Sequence, residues 1–194
     1  MNYPITVVID NGHSKTFIYK DDIKKMGFKY DANCQNWQKE INTEEELNDV
    51  ELYCGKRGLA VISPFTKRSN NYRDIFFENN PPVDKRERYR CVYCGRKLKR
   101  NKVSVDHLIS VYRSQISQKS RNKLRKMNCT SVNDVKNLVP SCRHCNSSKG
   151  YWLYPWIWMA KIGKNEKFWK IKNIIFYGAI IYTFIWSIFV SIRY

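Results

Sequence analysis

Seven cysteines occur in the chain, and four of them form two tight pairs, Cys91-Val-Tyr-Cys94 and Cys142-Arg-His-Cys145, with 47 residues between them. Two such pairs bring four soft thiolates to one tetrahedral Zn2+, each pair folding as a knuckle, and Gly95 supplies the glycine that a knuckle turn often needs. Zinc is therefore expected at Cys91, Cys94, Cys142 and Cys145. His144, inside the second pair, is surplus to a completed four-thiolate site and is expected to be exposed or to face a phosphate. Cys34, Cys54 and Cys129 lack partner spacing and read as small apolar residues. Between the pairs, Lys102-Val-Ser-Val-Asp-His-Leu-Ile109 alternates as a strand does and ends in an acid followed by a histidine, the side chain whose charge changes near neutral pH.

These residues need elements to position them. Asn137-Leu-Val-Pro-Ser-Cys142 reads as a second strand running into the second knuckle, and Asn146-Ser-Ser-Lys149 opens a helix. Strand, strand and helix, with Asp-His on the first, Asn on the second, and Cys-Asn-x-x-Lys on the third, resemble the HNH nuclease family with its ββα-metal fold, over about residues 88–153. The resemblance implies hydrolysis of DNA phosphodiesters, which needs a base for water, a divalent cation on the phosphate and stabilisation of the departing charge. By motif position His107 is the general base, Asp106 and Asn146 hold a catalytic Mg2+ or Mn2+, and Asn137 holds the loop that orients His107. Lys149 and Arg143 fall to phosphate contact, and the zinc becomes a structural staple for a small core. Two departures stand out. Asn146 occupies a position where many members carry His, and 29 residues separate His107 from Asn137. That long insertion includes Arg121, Lys123, Arg125 and Lys126, which suit a DNA-contacting helix or loop. Asn128 and Asn133 compete for the Asn137 role, but only Asn137 starts an apolar strand leading into a knuckle.

The 194 residues carry a net charge of +18, distributed unevenly. Residues 1–65 hold 8 Lys/Arg against 10 Asp/Glu, residues 66–173 hold 26 against 7, and the last segment holds Arg193 alone. The middle therefore faces a polyanion, and the first segment is an ordinary acidic module. The expected class is α+β: a small accessory α+β module at 1–65, a basic linker at 66–90, the zinc-stapled nuclease at 91–160, a basic juxtamembrane stretch at 161–173 and a transmembrane helix at 174–192. In the first module Ile5, Val7 and Ile9 alternate as a strand, Asn11-Gly12 turns, Thr16–Tyr19 returns, and Thr43 caps a helix that Gly58 closes. No catalytic set occurs there.

Residues 174–192 contain no charge, and 19 residues at ~1.5 Å rise span about 28 Å, close to the thickness of a bilayer's hydrocarbon. Lys161, Lys164, Lys167, Lys170 and Lys172 flank the start, so the positive-inside rule leaves the N-terminal domains cytoplasmic. The stretch from Tyr151 to Ala160 is too short to span, and its three tryptophans suit core packing or contact with the bilayer interface, the first slightly favoured. The expectation is a single-pass, membrane-tethered endonuclease acting on DNA, with residues 174–192 in the lipid membrane. Cutting both strands requires a homodimer or two successive events, because each chain has one site. The Asn, Lys, Ile and Tyr enrichment suits an AT-rich genome, phage or bacterial. A non-catalytic zinc module that binds nucleic acid beneath a membrane explains the charge, zinc and span equally well, but does not require Asp106, His107, Asn137 and Asn146 together.

Overall fold

The computed structural model describes residues 2–193, with side chains through residue 190. Strands β1 (Ile5–Asp10), β2 (Lys29–Asp31), β3 (Asn36–Ile41) and β4 (Ala60–Ile62) form one antiparallel sheet in the order β2-β3-β1-β4. Alternation in β1 sends Ile5, Val7 and Ile9 into a core with Ile23, Phe28, Trp37 and Ile41. Helices α1 (Lys20–Lys25) and α2 (Glu44–Arg57) complete this core. The Thr43 hydroxyl accepts from Glu46 N at 3.2 Å, which caps α2, and Gly58 at φ 68° ends it in a left-handed conformation that other residues rarely tolerate.

Thr16–Tyr19 is a 3-10 turn and not a return strand. The backbone N–H groups of His13 and Ser14 both donate to Gly58 O, and Asn11 Oδ1 accepts from Thr16 N, so the chain folds over the end of α2 instead of pairing back on β1. Residues 66–90, expected to be a linker, contain helix α3 (Tyr72–Asn79), whose Phe76 is fully buried in the second core beside Tyr89 and Leu138. A short apolar run of Ile, Phe and Phe in polar surroundings is enough to anchor one helix face.

That second core is built around the cysteines. Strands β5 (Arg88–Arg90) and β6 (Lys97–Lys99) form a hairpin carrying Cys91 and Cys94. Strands β7 (Ser104–His107) and β8 (Leu138–Ser141) pair antiparallel, with Asp106 opposite Val139 and His107 opposite Leu138. Helix α6 (Arg143–Lys149) follows β8, and β7, β8 and α6 make the strand-strand-helix unit. The insertion between β7 and β8 forms α4 (Val111–Ile116) and α5 (Gln118–Lys126), which pack on β4 and α2.

Helices α7 (Trp156–Gly163) and α8 (Glu166–Arg193) end the chain. Of the tryptophans before α8, Trp156 packs edge-on to Tyr93, while Trp152 and Trp158 are exposed, so only part of this patch joins the core. Gly163 lies against Val92, where a Cβ would overlap the carbonyl, and Trp169 covers Gly95 while donating from Nε1 to Gly163 O at 2.8 Å. The base of α8 thus rests on the zinc hairpin. From Glu166 to Val190 α8 is long and apolar enough to cross a membrane, and its large apolar side chains between Ile174 and Val190 are exposed.

Candidate active site and zinc centre

The four thiols of Cys91, Cys94, Cys142 and Cys145 all lie within 4.8 Å of one another, with Cys94 and Cys142 Sγ 3.9 Å apart. Tetrahedral zinc with Zn–S bonds of about 2.3 Å requires S–S separations of roughly 3.8 Å, so this set fits the ion. Burial pushes the Cys91 thiol up to about 11, so a bound cation would be what keeps that sulfur a thiolate at neutral pH. His144 is exposed and outside this set.

Asp106 and His107 close β7, the first 6% and the second 7% exposed. Burial lowers the His107 pKa to about 4, helped by the positive charges of Arg68 and Lys149 and opposed by the bond to Asn133, so the imidazole is neutral at pH 7. Its Nε2 lies 3.3 Å from Asn133 Oδ1. The orientation of that carboxamide is fixed independently: Asn133 Nδ2 donates to Lys67 O at 2.8 Å, and Oδ1 accepts from Ser69 N at 3.1 Å. An acceptor therefore faces Nε2, which must carry the proton, leaving Nδ1 with the free lone pair. Tyr72 lies against the same imidazole, ring centroids 4.9 Å apart.

Asn137 is fully buried and ties the turn after His107 to the end of the insertion through three side-chain bonds. Its Oδ1 accepts from Ile109 N at 2.8 Å, and its Nδ2 donates to Ile109 O and Val132 O. Two asparagines thus divide the work that the sequence suggested for one: Asn137 holds the backbone beyond His107, and Asn133 touches the imidazole.

Lys149 is fully buried and is no phosphate contact: its ammonium donates to Asp106 Oδ1 at 3.0 Å and His107 O at 2.7 Å. The other Asp106 oxygen accepts from the Tyr93 hydroxyl at 2.5 Å. Burial raises the Asp106 pKa and the Lys149 charge opposes the rise. Asn146 is half-buried and lies on the same face of α6 as Lys149, three residues on, with no protein hydrogen bond to its amide among the described residues. A carboxylate has about four acceptor sites, so Asp106 keeps capacity beyond its two bonds. A divalent ion at Asp106 would share that carboxylate with Lys149, and Asn146 lies one helical turn before Lys149 on α6.

The expected nucleic-acid residues of the insertion separate. Arg121 is fully buried, and its guanidinium bonds to Glu51 Oε2 at 3.0 Å and to the Ser114, Gln115 and Glu51 carbonyls, so it fastens α5 to α2 and cannot meet a substrate. Arg125 shares Glu51 at 3.1 Å, and Lys123 donates to the Tyr154 hydroxyl. Lys126 and Arg143 are exposed, and Arg143 lines a basic groove of about 640 Å3 with Arg96, Lys102 and His144. Tyr72, Tyr93 and Arg68 are poorly legible from sequence; their signal is no more than aromatic and basic residues close to the motif.

A four-cysteine staple beneath a strand-strand-helix unit with a neutral, supported histidine at the strand end defines a ββα-metal module. Residues 91–151 match the model of the HNH endonuclease family, and the four clustered cysteines fit its zinc-bearing subtype. No curated protein and no solved structure matches the chain.

Proposed function

We propose that the protein is an endonuclease that hydrolyses DNA phosphodiester bonds, with residues 91–160 as the nuclease domain, 1–65 as an accessory module and α8 as a membrane anchor. The observation that carries this reading is His107. It is buried, neutral at pH 7 and fixed in one tautomer by Asn133, so Nδ1 is the nitrogen able to take a proton from water. Asn137 keeps the turn beyond it in place. Mg2+ or Mn2+ at Asp106 and Asn146, when bound, would supply positive charge to the phosphate and leaving oxygen. The binding surface for DNA includes Arg143 and Lys126. Residues 161–173 face the cytoplasm, and residues 174–192 of α8 lie in the bilayer. Anchoring raises the local concentration at the membrane, suiting restriction or processing of DNA that enters there, in a phage or in a bacterium resisting one.

The test is DNA cleavage by the full-length chain with added Mg2+ or Mn2+. His107→Ala is expected to abolish cutting while zinc content and fold stay unchanged; equal activity in that variant removes His107 from the role. The anchor is tested in cells, where deleting residues 174–194 should reduce activity.

One observation favours a second reading, a zinc-dependent nucleic-acid-binding protein without catalysis. The Lys149 ammonium already neutralises Asp106, the carboxylate a divalent ion would need. DNA binding by the wild-type chain with no metal-dependent cleavage would establish that alternative.

A further inference from the structure

A phosphodiester lying against His107 brings negative charge, and the transition state of its hydrolysis concentrates more of it on the phosphoryl oxygens. Lys149 cannot meet that charge, because it is buried on Asp106. Arg68 is the cation that the structure holds beside the base. Its Nη2 donates to the Tyr72 hydroxyl at 2.5 Å, and its Cζ lies 4.5 Å from the Tyr72 ring centroid. The same ring packs on the His107 imidazole. Arg68 is exposed, and no carboxylate pairs with it among the described residues.

Its position is also tied to that of the base. The residues on either side, Lys67 through its carbonyl and Ser69 through its N–H, are bonded to Asn133, the residue that supports His107 Nε2. The base and the backbone flanking Arg68 therefore share one support. A guanidinium resting on an aromatic ring and bonded to its hydroxyl has already lost much of its rotamer freedom, so less is lost when two of its N–H groups engage two phosphate oxygens. With the water about 3 Å from the base and the phosphorus another ~3 Å beyond, the scissile group falls on the order of 6 Å from the imidazole, within the reach of an arginine stacked next to it.

We propose that Arg68, which lies outside the segment matching the family, is the phosphate-binding residue of this site, donating to the non-bridging oxygens of the scissile phosphodiester while Tyr72 holds its guanidinium in place. The inference rests on the nuclease reading and adds to it a residue from the chain segment that precedes the zinc module.

The experiment uses the full-length chain in detergent micelles and a fluorescent DNA duplex, with two readouts: single-turnover cleavage, and binding by anisotropy in a His107→Ala background. Arg68→Ala is expected to slow cleavage roughly 100-fold, the order found when one preorganised donor to a developing anion is removed. It should also weaken binding about fivefold, and Arg68→Lys should restore only part of either loss because an ammonium lacks the planar fork. Tyr72→Phe keeps the ring and loses the hydroxyl bond, so it should slow cleavage by a smaller factor, about threefold to tenfold. Lys24→Ala, an exposed cation on α1, controls for net charge and should leave both readouts within about twofold. Cleavage by Arg68→Ala within about threefold of the parent overturns the proposal. If the parent chain does not cut, the nuclease reading falls and binding alone decides Arg68: a loss no greater than that of Lys24→Ala overturns it, and a fivefold loss upholds Arg68 as a phosphate contact.

Discussion

Arg121 and Lys149 are both fully buried, each is paired with a buried carboxylate, and both read from sequence as contacts for nucleic acid. They are built for different ends. Arg121 directs its donors at carbonyls of three residues, at Gln118 Oε1 and at Glu51, joining α5 to a helix 70 residues earlier in the chain. Lys149 has two partners, and its carboxylate also accepts from Tyr93. The first pair is a fastening between the insertion and the N-terminal sheet module, whereas the second is a charged group inside the site. A buried cation bonded on every side to groups far from His107 has a mechanical role; one bonded to the carboxylate next to His107 and to the His107 carbonyl lies inside the candidate site.

Removing zinc should separate the two pairs most sharply. Structural zinc contributes on the order of 10 kcal/mol or more of binding free energy in small zinc modules, so chelation is expected to unfold the region of β5 to β8 and α6. Hydrogen exchange should then show lost protection around Lys149 and Asp106 and retained protection in β1 and β3. Equal loss in both regions would show that the two cores stand or fall together.

Arg121→Met should be next in size. It leaves the Glu51 carboxylate buried with only the half-buried Arg125 as a charge partner and Oε1 already lacking one, and it strips three backbone carbonyls of their donor; a broken buried pair costs about 3–5 kcal/mol. Glu51→Leu added to Arg121→Met should recover most of that loss in urea melts, and Arg121→Lys should not, having three donors for a site shaped to a planar fork.

Lys149→Met should cost less, about 1–3 kcal/mol, because Asp106 keeps its Tyr93 bond and its raised pKa lets it protonate. A destabilisation equal to that of Arg121→Met would erase the distinction drawn between the pairs.

An effect of comparable size is in pH. His107 has its pKa lowered from 6.5 to about 4 in the folded chain, so below pH 6.5 the unfolded chain binds more protons there and stability falls as pH drops toward 4. Relative to His107→Asn, wild type should lose on the order of 1–3 kcal/mol across that window, measured as the difference between their melts. Parallel melting curves would mean that the imidazole is not held neutral by burial.

Much of the site was legible because its signals are local. Cys-x-x-Cys places two ligands on one turn, Asp106 and His107 are adjacent, and Thr43, Glu46 and Gly58 mark helix ends within a few residues of the groups they satisfy. The uncharged tail announces an apolar helix by composition alone, and α8 extends over it. The helix in residues 72–79 was less legible, because one face of eight residues is too short a pattern to outweigh the Asn and Pro around it.

What the sequence determined by itself, then, is the four-cysteine cluster, the Asp-His pair at a strand end, the class of fold and the apolar end. Only the tertiary structure decided which cations remain exposed, and which asparagine touches His107. The reason is distance along the chain. Glu51 reaches Arg121, Lys67 and Ser69 reach Asn133, and Asp106 reaches Lys149 across separations of about 40 to 70 residues, and no local periodicity records a partner so far away. A lysine or arginine looks the same in sequence whether a buried carboxylate or a phosphate will neutralise it, and packing alone makes that choice.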